Sequence, residues 1–408
     1  MKTVASLLLS LTTLVLTAQT KAYTLEECVL MALDKNISIK QSELDIENAE
    51  IDKEDAFGSF LPRVNAQSQH IWNNGLSQNI TNGLIENLTT QFSSFGGNIG
   101  VTLFNGKQNI NQLSRANLNL IARQYQLDDM KDDISLFVAN AYLQVMFNRE
   151  LAQVQRFQLE ITKEDLERTK VRIQAGVLTQ ADIFDIEANL ASQEQALVQA
   201  ENNYRLSLIS LAQLLLITDY ENFQISDEDF EIPFSDILSQ KPKEIYEKAL
   251  TIRNDIKLGV ANIEVAKKDI EIAKGALMPS LTAFYNYNTR ISYSDRFVET
   301  GNLIETPIGF VKGTGESVVT QFSERTIAEP LSFGTQFGQN DGHSYGVSLN
   351  IPIFNGSSVR NNIKRRKLNL KRIENQFEQT KLDLENTVNQ AYLNTQGAVK
   401  FFEAAEKT

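Results

Sequence analysis

The sequence predicts a mainly α-helical chain with a membrane β part, built as two tandem copies of helix, strand, strand and long helix. Three observations carry that expectation. The chain repeats itself, in order, at two fixed offsets. In each copy the apolar period switches to two straight after a proline. The helical stretches that follow keep a strict seven-residue spacing of apolar residues.

Residues from Ala32-Leu33 onward return from Ala249-Leu250 at an offset of 217. The pairs include Ile39-Lys40 with Ile256-Lys257, Ile46-Glu47 with Ile263-Glu264, Ala49 with Ala266 and Asp52 with Asp269. Ala56 with Ala273, Gly58 with Gly275, Pro62 with Pro279 and Ala66 with Ala283 continue the series. A second block returns at an offset of 250: Phe104-Asn105-Gly106 as Phe354-Asn355-Gly356, Leu118-Asn119-Leu120 as Leu368-Asn369-Leu370, and Ala141-Tyr142-Leu143 as Ala391-Tyr392-Leu393. The second offset exceeds the first by 33 residues, so the extra length lies between Ala283 and Phe354. The organisation that follows is a leader over residues 1–22, a first repeat over 23–217, a linker over 218–242 and a second repeat over 243–408.

The leader reads as a secretory signal. Lys2 supplies positive charge, and Val4 to Leu16 form a short apolar stretch. Leu16-Thr17-Ala18, or Thr20-Lys21-Ala22 as a second choice, offers a small-residue cleavage site. The stretch is too short for a membrane helix, and no other in the sequence reaches that length. An exported chain of this kind is soluble or crosses a membrane as a barrel. Cys28 is the one cysteine, so no internal disulfide forms, and it reads as a small apolar residue of the first helix. A formal net charge of −12 argues against nucleic acid as the main partner.

In each repeat the first helix spans about Thr24 to Phe60, or Lys243 to Met278, and is ended by Leu61-Pro62 or Met278-Pro279. A hairpin follows, over about 62–104 in the first repeat and 279–354 in the second. Ile99, Val101 and Leu103 alternate with polar residues. So do Leu281 to Ile291, with Phe284 as the exception, and Tyr345 to Ile353; Val64 and Ala66 form a weaker case. Polar segments, about Asn73 to Ser94 and Ser292 to Asp341, separate the strands. The long helices then carry Leu113, Leu120, Leu127, Ile134 and Ala141, with Ile363, Leu370, Phe377, Leu384 and Ala391 in the second copy. Ile183, Leu190, Leu197, Tyr204 and Leu211 mark the return helix. A sustained heptad means a supercoiled seam. From Gly106 to Gly176 the helix would rise roughly 100 Å at 1.5 Å per residue, longer than a globular core. Between outgoing and return helices, Gly176 suits a left-handed helix end, and Thr179 is placed to cap the next helix with Asp182 three residues on.

Phe60, Trp72, Phe95, Phe104, Phe284 and Phe354 flank the strands, as aromatics do at a membrane interface. Backbone groups in a bilayer must all be paired, so a strand edge must be closed. Four strands are too few to close a pore, so several chains must share one barrel.

These features together resemble the TolC-like outer-membrane efflux proteins. The likeness rests on the Ala-Leu start of each repeat, the Leu61-Pro62 and Met278-Pro279 junctions, and the Phe-Asn-Gly at Gly106 and Gly356. The Ala-Tyr-Leu of the long helices and the run from Arg172 to Asp182 extend it, over about Thr24 to Thr408. The resemblance implies a homotrimer whose twelve-stranded β-barrel sits in outer-membrane lipid and continues as a periplasmic α-helical coiled-coil tunnel. It implies a passive duct for efflux or type I secretion, opened by a periplasmic adaptor and driven indirectly by an inner-membrane transporter. In the family the helical tip carries Gly-x-x-Thr followed by Asp, matched by Gly176, Val177, Leu178, Thr179 and Asp182, so the tip is expected to dock the adaptor. The second copy stops at Thr408 inside its long helix, so the functional protein is expected to be longer.

No catalytic, cofactor-binding or metal-ligating constellation is expected. His70 and His343 lie apart in the hairpin regions, and no phosphate loop or nucleophile motif appears. Lys364-Arg365-Arg366-Lys367 reads as a solvated helix face or as a contact with acidic lipid headgroups. The competing reading of the whole is a periplasmic coiled-coil adaptor or structural protein, which would share the signal and the heptads and lack membrane-facing strands.

Overall fold

The computed structural model describes residues 22–78, 84–226 and 239–407. The signal-peptide expectation therefore lies outside the described residues, Ala22 apart, as does the acidic run Asp227-Glu228-Asp229. In chain order the elements are β1 (Ala22–Tyr23), α1 (Leu25–Lys35), α2 (Ile37–Gly58), β2 (Arg63–Gln78), β3 (Ile85–Asn105), α3 (Gln108–Gln174), α4 (Asp182–Leu214) and β4 (Gln224–Ile225). Then come α5 (Pro242–Ile252), α6 (Asn254–Gly275), β5 (Ser280–Ser292), β6 (Arg296–Phe310), β7 (Ser317–Ala328), α7 (Phe333–Gln339), β8 (Gly342–Asn350) and α8 (Ser358–Glu406).

The first helix of each repeat is two helices, not one. Thr24 opens α1 with a reciprocal cap: its hydroxyl accepts from the Glu27 amide at 3.1 Å, and its own amide donates to the Glu27 carboxylate at 3.2 Å. The break falls at Asn36 and again at Arg253, both with extended ψ, 131° and 139°. These positions are 217 apart, so the break is duplicated with the rest. No proline or glycine marks it. Instead the Asn36 side chain accepts the Ser38 amide at 2.8 Å, and Asp255 accepts the Ile256 amide at 2.7 Å while gripping Arg253. Side chains that satisfy nearby amides give the backbone an alternative to the helical ladder. Both copies then end in the same turn: Leu61 donates to the Gly58 carbonyl and Met278 to the Gly275 carbonyl. Pro62 and Pro279 stand just before the strands rather than at the last helical turn.

Four strands form one sheet in the order β2-β3-β5-β8, every pair antiparallel. The register sets Val64 beside Ile99, Ile99 beside Tyr285, and Tyr285 beside Tyr345. Because successive side chains alternate, one face gathers Val64, Ile99, Val101, Ala283, Val347 and Leu349. The other carries Asn65, Gln67, Asn98, Asn286 and Ser348. On it Asn98 donates to Asn286 at 2.5 Å and Asn286 to Ser344 at 3.3 Å. β8 stops at Asn350, although alternation continues to Ile353. Its pairing with β5 ends where β5 begins, at Ser280, and beyond that point nothing remains to pair.

Neither polar segment between the strands is the loop that composition suggested. β2 and β3 stay paired out to Gln78 and Ile85. The longer segment holds a second hairpin, β6 with β7, interrupted by register shifts between Glu299 and Leu303 and between Pro307 and Gly309. The first shift inserts two extra residues of β6 and the second inserts one, which cuts the hairpin into short runs of alternation and hid it in the sequence. The short helix α7 finishes the insertion. Where β5 outruns β8, α7 takes over its edge: Gln336 Oε1 accepts the Ser292 amide and Gln336 Nε2 donates to the Ser292 carbonyl, both at 2.9 Å. Asn340 donates to the Arg290 carbonyl at 2.7 Å.

Two compact units divide the chain, and each takes part of both repeats. One comprises Met1–Glu50, Leu118–Ile263 and Ile373–Thr408; the other, which holds the sheet, comprises Ile51–Asn117 and Glu264–Arg372. The core of the first gathers Cys28, Ala32, Ile39, Leu127, Ile134, Val138 and Tyr142 with Leu211, Leu215, Phe223 and Ile225. Heptad residues Leu127, Ile134, Leu211 and Leu384 are buried, whereas Ala391 is exposed. The linker is more than a connection: β4 pairs in parallel with β1, and Phe223 and Ile225 beside it enter the core. The hydroxyl of fully buried Tyr142 lies 3.3 Å from the carbonyl oxygens of Tyr23 in β1 and of Ser226 just after β4, with one proton to share between them.

Candidate functional site

Two regions answer to the residues picked from the sequence: the sheet with its helix junctions, and the turn between α3 and α4.

At the junctions Gly106 and Gly356 both take positive φ, 65° and 61°, and each is followed by a second left-handed residue, Lys107 at 64° and Ser357 at 64°. Sequence reading found the glycines and missed their neighbours. A non-glycine residue there costs about 1–2 kcal/mol, so the chain holds this turn under strain in both copies. The first junction shows why glycine is needed. A Cβ on Gly106 would fall on the Gly275 carbonyl oxygen, and one on Gly275 would lie 2.6 Å from the Gly106 oxygen. The two backbones touch directly. Nearby, Arg115 Nε donates to Asp269 Oδ1 at 2.7 Å, and Arg366 approaches the other oxygen of the same carboxylate at 3.7 Å. The remaining members of the basic run, Lys364, Arg365 and Lys367, are exposed.

The sheet itself is thin cover. Every residue of β2 from Arg63 to His70 is exposed, and β8 is exposed except at Gly342 and Gly346. Phe284, the exception to alternation, sits on the polar face rather than among the flanking aromatics. Its cross-strand neighbours are Gly100 and Gly346, and a Cβ on Gly346 would come within 3.3 Å of the ring. Glycines on both sides make room for an aromatic among polar side chains. His70 pairs with Ser93 at 2.8 Å and His343 with Tyr285 at 2.7 Å, so both imidazoles serve the sheet. Among the described residues no group of three or more His, Cys, Asp or Glu is placed to hold a metal, and no helix is long and apolar enough to cross a membrane.

At the turn, α3 ends in a full left-handed cap. Gly176 has φ 74°, its amide donates to the Ile173 carbonyl at 2.9 Å, and the Val177 amide reaches back to Arg172 at 2.9 Å. Val177 is 71% exposed, a large apolar side chain with nothing over it. The start of α4 departs from expectation. Thr179 does not cap the helix through its hydroxyl. Both its amide and its hydroxyl donate to Asp182 Oδ2, at 2.7 and 2.8 Å, so Asp182 is the acceptor of the pair.

One electrostatic feature was not visible in the sequence. Asp129, Asp132 and Asp133 on α3 meet Asp255 around Arg253 and Asn254, where Asn254 donates to Asp132 at 2.9 Å. Burial first, then the Asp255 and Asp133 carboxylates, push the Asp129 carboxyl above the usual aspartate range, with Arg253 opposing.

The model of the family "Outer membrane efflux protein" matches residues 29–215 and 245–408. The chain belongs to the outer membrane efflux protein family. Membership gives the outer membrane as its location. Among individual proteins of this family, the pyoverdine export outer membrane protein OpmQ of Pseudomonas aeruginosa is 28% identical over 165 residues, 40% of this chain. That match spans 34% of the relative's length. BepC of Brucella suis, named an outer membrane efflux protein, is 21% identical over 66% of the chain and 50% of its own length. Among solved structures, VceC of Vibrio cholerae superposes with a TM-score of 0.70 at 14% identity, covering 94% of this chain and 81% of that one. The CmeC outer membrane channel of Campylobacter jejuni gives 0.69 at 16% identity, covering 94% and 76%. These likenesses establish the fold: four strands in one antiparallel sheet joined to long helices, as in the solved channels.

Proposed function

We propose that this chain is one protomer of a homotrimeric, passive export duct, and not an enzyme. One observation carries the reading: an antiparallel sheet with one apolar and one polar face ends, among the described residues, in two edge strands with no strand beyond them, β2 and β8. Unpaired strand edges are untenable in lipid, so identical neighbours must close the cylinder, with the apolar face outward and the asparagine face lining water. Three chains of four strands give the twelve-stranded barrel expected from the family. In this reading the duct is opened by a periplasmic adaptor, is powered only indirectly by an inner-membrane transporter, and requires no cofactor. The domain scheme read from the sequence belongs to the same proposal, with its cleaved leader and two repeats joined by a linker at the tunnel's waist.

The turn at Gly176, Val177, Leu178, Thr179 and Asp182 is assigned to adaptor docking. Exposed Val177 on a rigid left-handed cap is the kind of small apolar knob that a partner helix tip can cover. The test is reconstitution of full-length protein into planar bilayers with and without its adaptor. A conductance that rises on adaptor addition supports a gated duct. Protein that leaves the membrane fraction without detergent and never conducts would refute it.

A further inference from the structure

We propose that the polar face of the sheet binds organic anions that carry a planar ring, with Arg63 and Arg290 holding the charge and Phe284 taking the ring. This rests on the duct reading above, in which that face lines water, and adds the chemical class of the cargo. The first observation is a bias of charge. The chain carries 51 Asp and Glu against 39 Lys and Arg. Yet apart from two histidines on the apolar face, the strands β2, β3, β5 and β8 hold three charged residues: Arg63, Glu86 and Arg290. All three lie on the polar face. Glu86 stands opposite Ser77, beyond the point where β5 ends against Phe92. Where β5 runs alongside, the charge of the polar strand face is arginine alone. Rings of side-chain charge of one sign set which ions a pore admits.

Each arginine is set with an aromatic ring. Arg63 and Phe284 are the two cross-strand neighbours of Gly100, which has no side chain to part them. Both line one recess of about 500 Å³, with Asn65 and Asn98 on its wall. Arg290 is opposite Ser94, six residues farther along β3 from Gly100, roughly 20 Å at about 3.3 Å per residue. Its guanidinium carbon stands 3.9 Å from the centre of the Phe92 ring. A second recess, of about 450 Å³, sets Arg290 with Gln67, Gln69 and Asn288.

Neither guanidinium is engaged by a carboxylate. Among the described residues neither arginine forms an ion pair, whereas Arg115, Arg156 and Arg253 each hold a carboxylate at 2.7 to 2.8 Å. A guanidinium seated over a ring gains a cation–π attraction and keeps its N–H fork for a carboxylate or sulfonate. Between the two arginines the wall is carboxamide and hydroxyl: Asn98 donates to Asn286, and Asn286 to Ser344. Such groups solvate an anion without fixing it, so cargo held at one arginine can pass to the next. Phe284 selects further. It is an aromatic surface on an otherwise polar wall, given room by Gly100 and Gly346, and it offers a planar ligand a stacking partner.

The test uses the full-length protein in planar bilayers, with its adaptor where opening requires it, each variant having first been shown to keep the wild-type assembly mass. Naphthalene-2-sulfonate, added on the side of the barrel, is expected to block the current. Trimethyl(2-naphthyl)ammonium, the same ring with the opposite charge, is expected not to, and methanesulfonate, the charge without the ring, to block only at higher concentration. Arg63→Gln and Arg290→Gln each remove a charged hydrogen-bonding partner, so each is expected to raise the half-blocking concentration about tenfold. Both are also expected to shift the reversal potential in a potassium chloride gradient toward cations. Phe284→Leu keeps the charges, so the reversal potential is expected to hold while naphthalene-2-sulfonate loses its advantage over methanesulfonate. A conducting duct that both naphthyl ions block equally, or whose block by the sulfonate survives Arg63→Gln with Arg290→Gln, overturns the anion surface and leaves the duct standing. Protein that never conducts, with the adaptor or without it, overturns the duct and the anion surface together.

Discussion

Asp129 shows how far a single residue's setting can depart from its sequence context. Its carboxyl is raised by burial and by neighbouring carboxylates, so the folded chain takes up its proton at a higher pH than the unfolded chain. Its contribution to stability is therefore present below the ordinary aspartate value and is lost as pH rises through the raised one. Asp129→Asn is expected to raise the thermal midpoint at pH 7 and to lose that advantage near pH 4, as a pH series of melting curves would show. Gly106 is constrained from two sides, by positive φ and by the Gly275 carbonyl. Gly106→Ala is expected to cost more than the roughly 1–2 kcal/mol of left-handed strain alone, read by chemical denaturation. Sequence had marked Gly106 through its repeated Phe-Asn-Gly. Its packing partner could not be read there, because the Gly275 carbonyl is a backbone atom brought in by the sheet.

At the scale of elements, legibility followed the strength of a single buried face. The stretches around Ile99 and Leu281 to Ile291 alternated, Phe284 excepted, and are strands. The pairing of Asn73 to Gln78 with Ile85 to Thr90 was hidden because both faces there are polar. The β6–β7 hairpin was hidden by its bulges. The breaks at Asn36 and Arg253 were invisible to periodicity, since the pattern resumes at once on the other side. Gln336 of α7 replaces a missing strand for β5, so Gln336→Ala leaves the Ser292 amide without its acceptor. About 1–3 kcal/mol is expected to be lost, with amide exchange quickening first at residues 289–292. At the helical turn, the cap at Gly176 and the pairing of Thr179 with Asp182 were foreseen, but not that the Thr179 hydroxyl donates to the carboxylate instead of accepting from α4. If the turn docks an adaptor, Val177→Asp with Leu178→Asp is expected to abolish adaptor cross-linking while leaving the trimer's mass unchanged.

For the whole molecule, the duplication was the most informative thing in the sequence, and it organises the sheet as well as the helices. Copy-related strands alternate around β2-β3-β5-β8, which leaves one strand of each copy at a free edge. In the proposed duct those edges are closed by neighbours, the same requirement that the strand count raised in the sequence. Val347 lies on the apolar face, outward in the proposed barrel, and Val347→Arg there is expected to cost about 2–4 kcal/mol at the bilayer midplane, falling to about 0–1 near its borders. Urea-driven unfolding in lipid vesicles would read that loss, and equal stability of the variant in lipid and in buffer would argue against a lipid-facing sheet. The most direct measurement is native mass spectrometry of the full-length protein released from detergent micelles. Three chains per particle is the expected mass; a particle of one chain, folded and stable after the detergent is removed, would contradict the shared barrel.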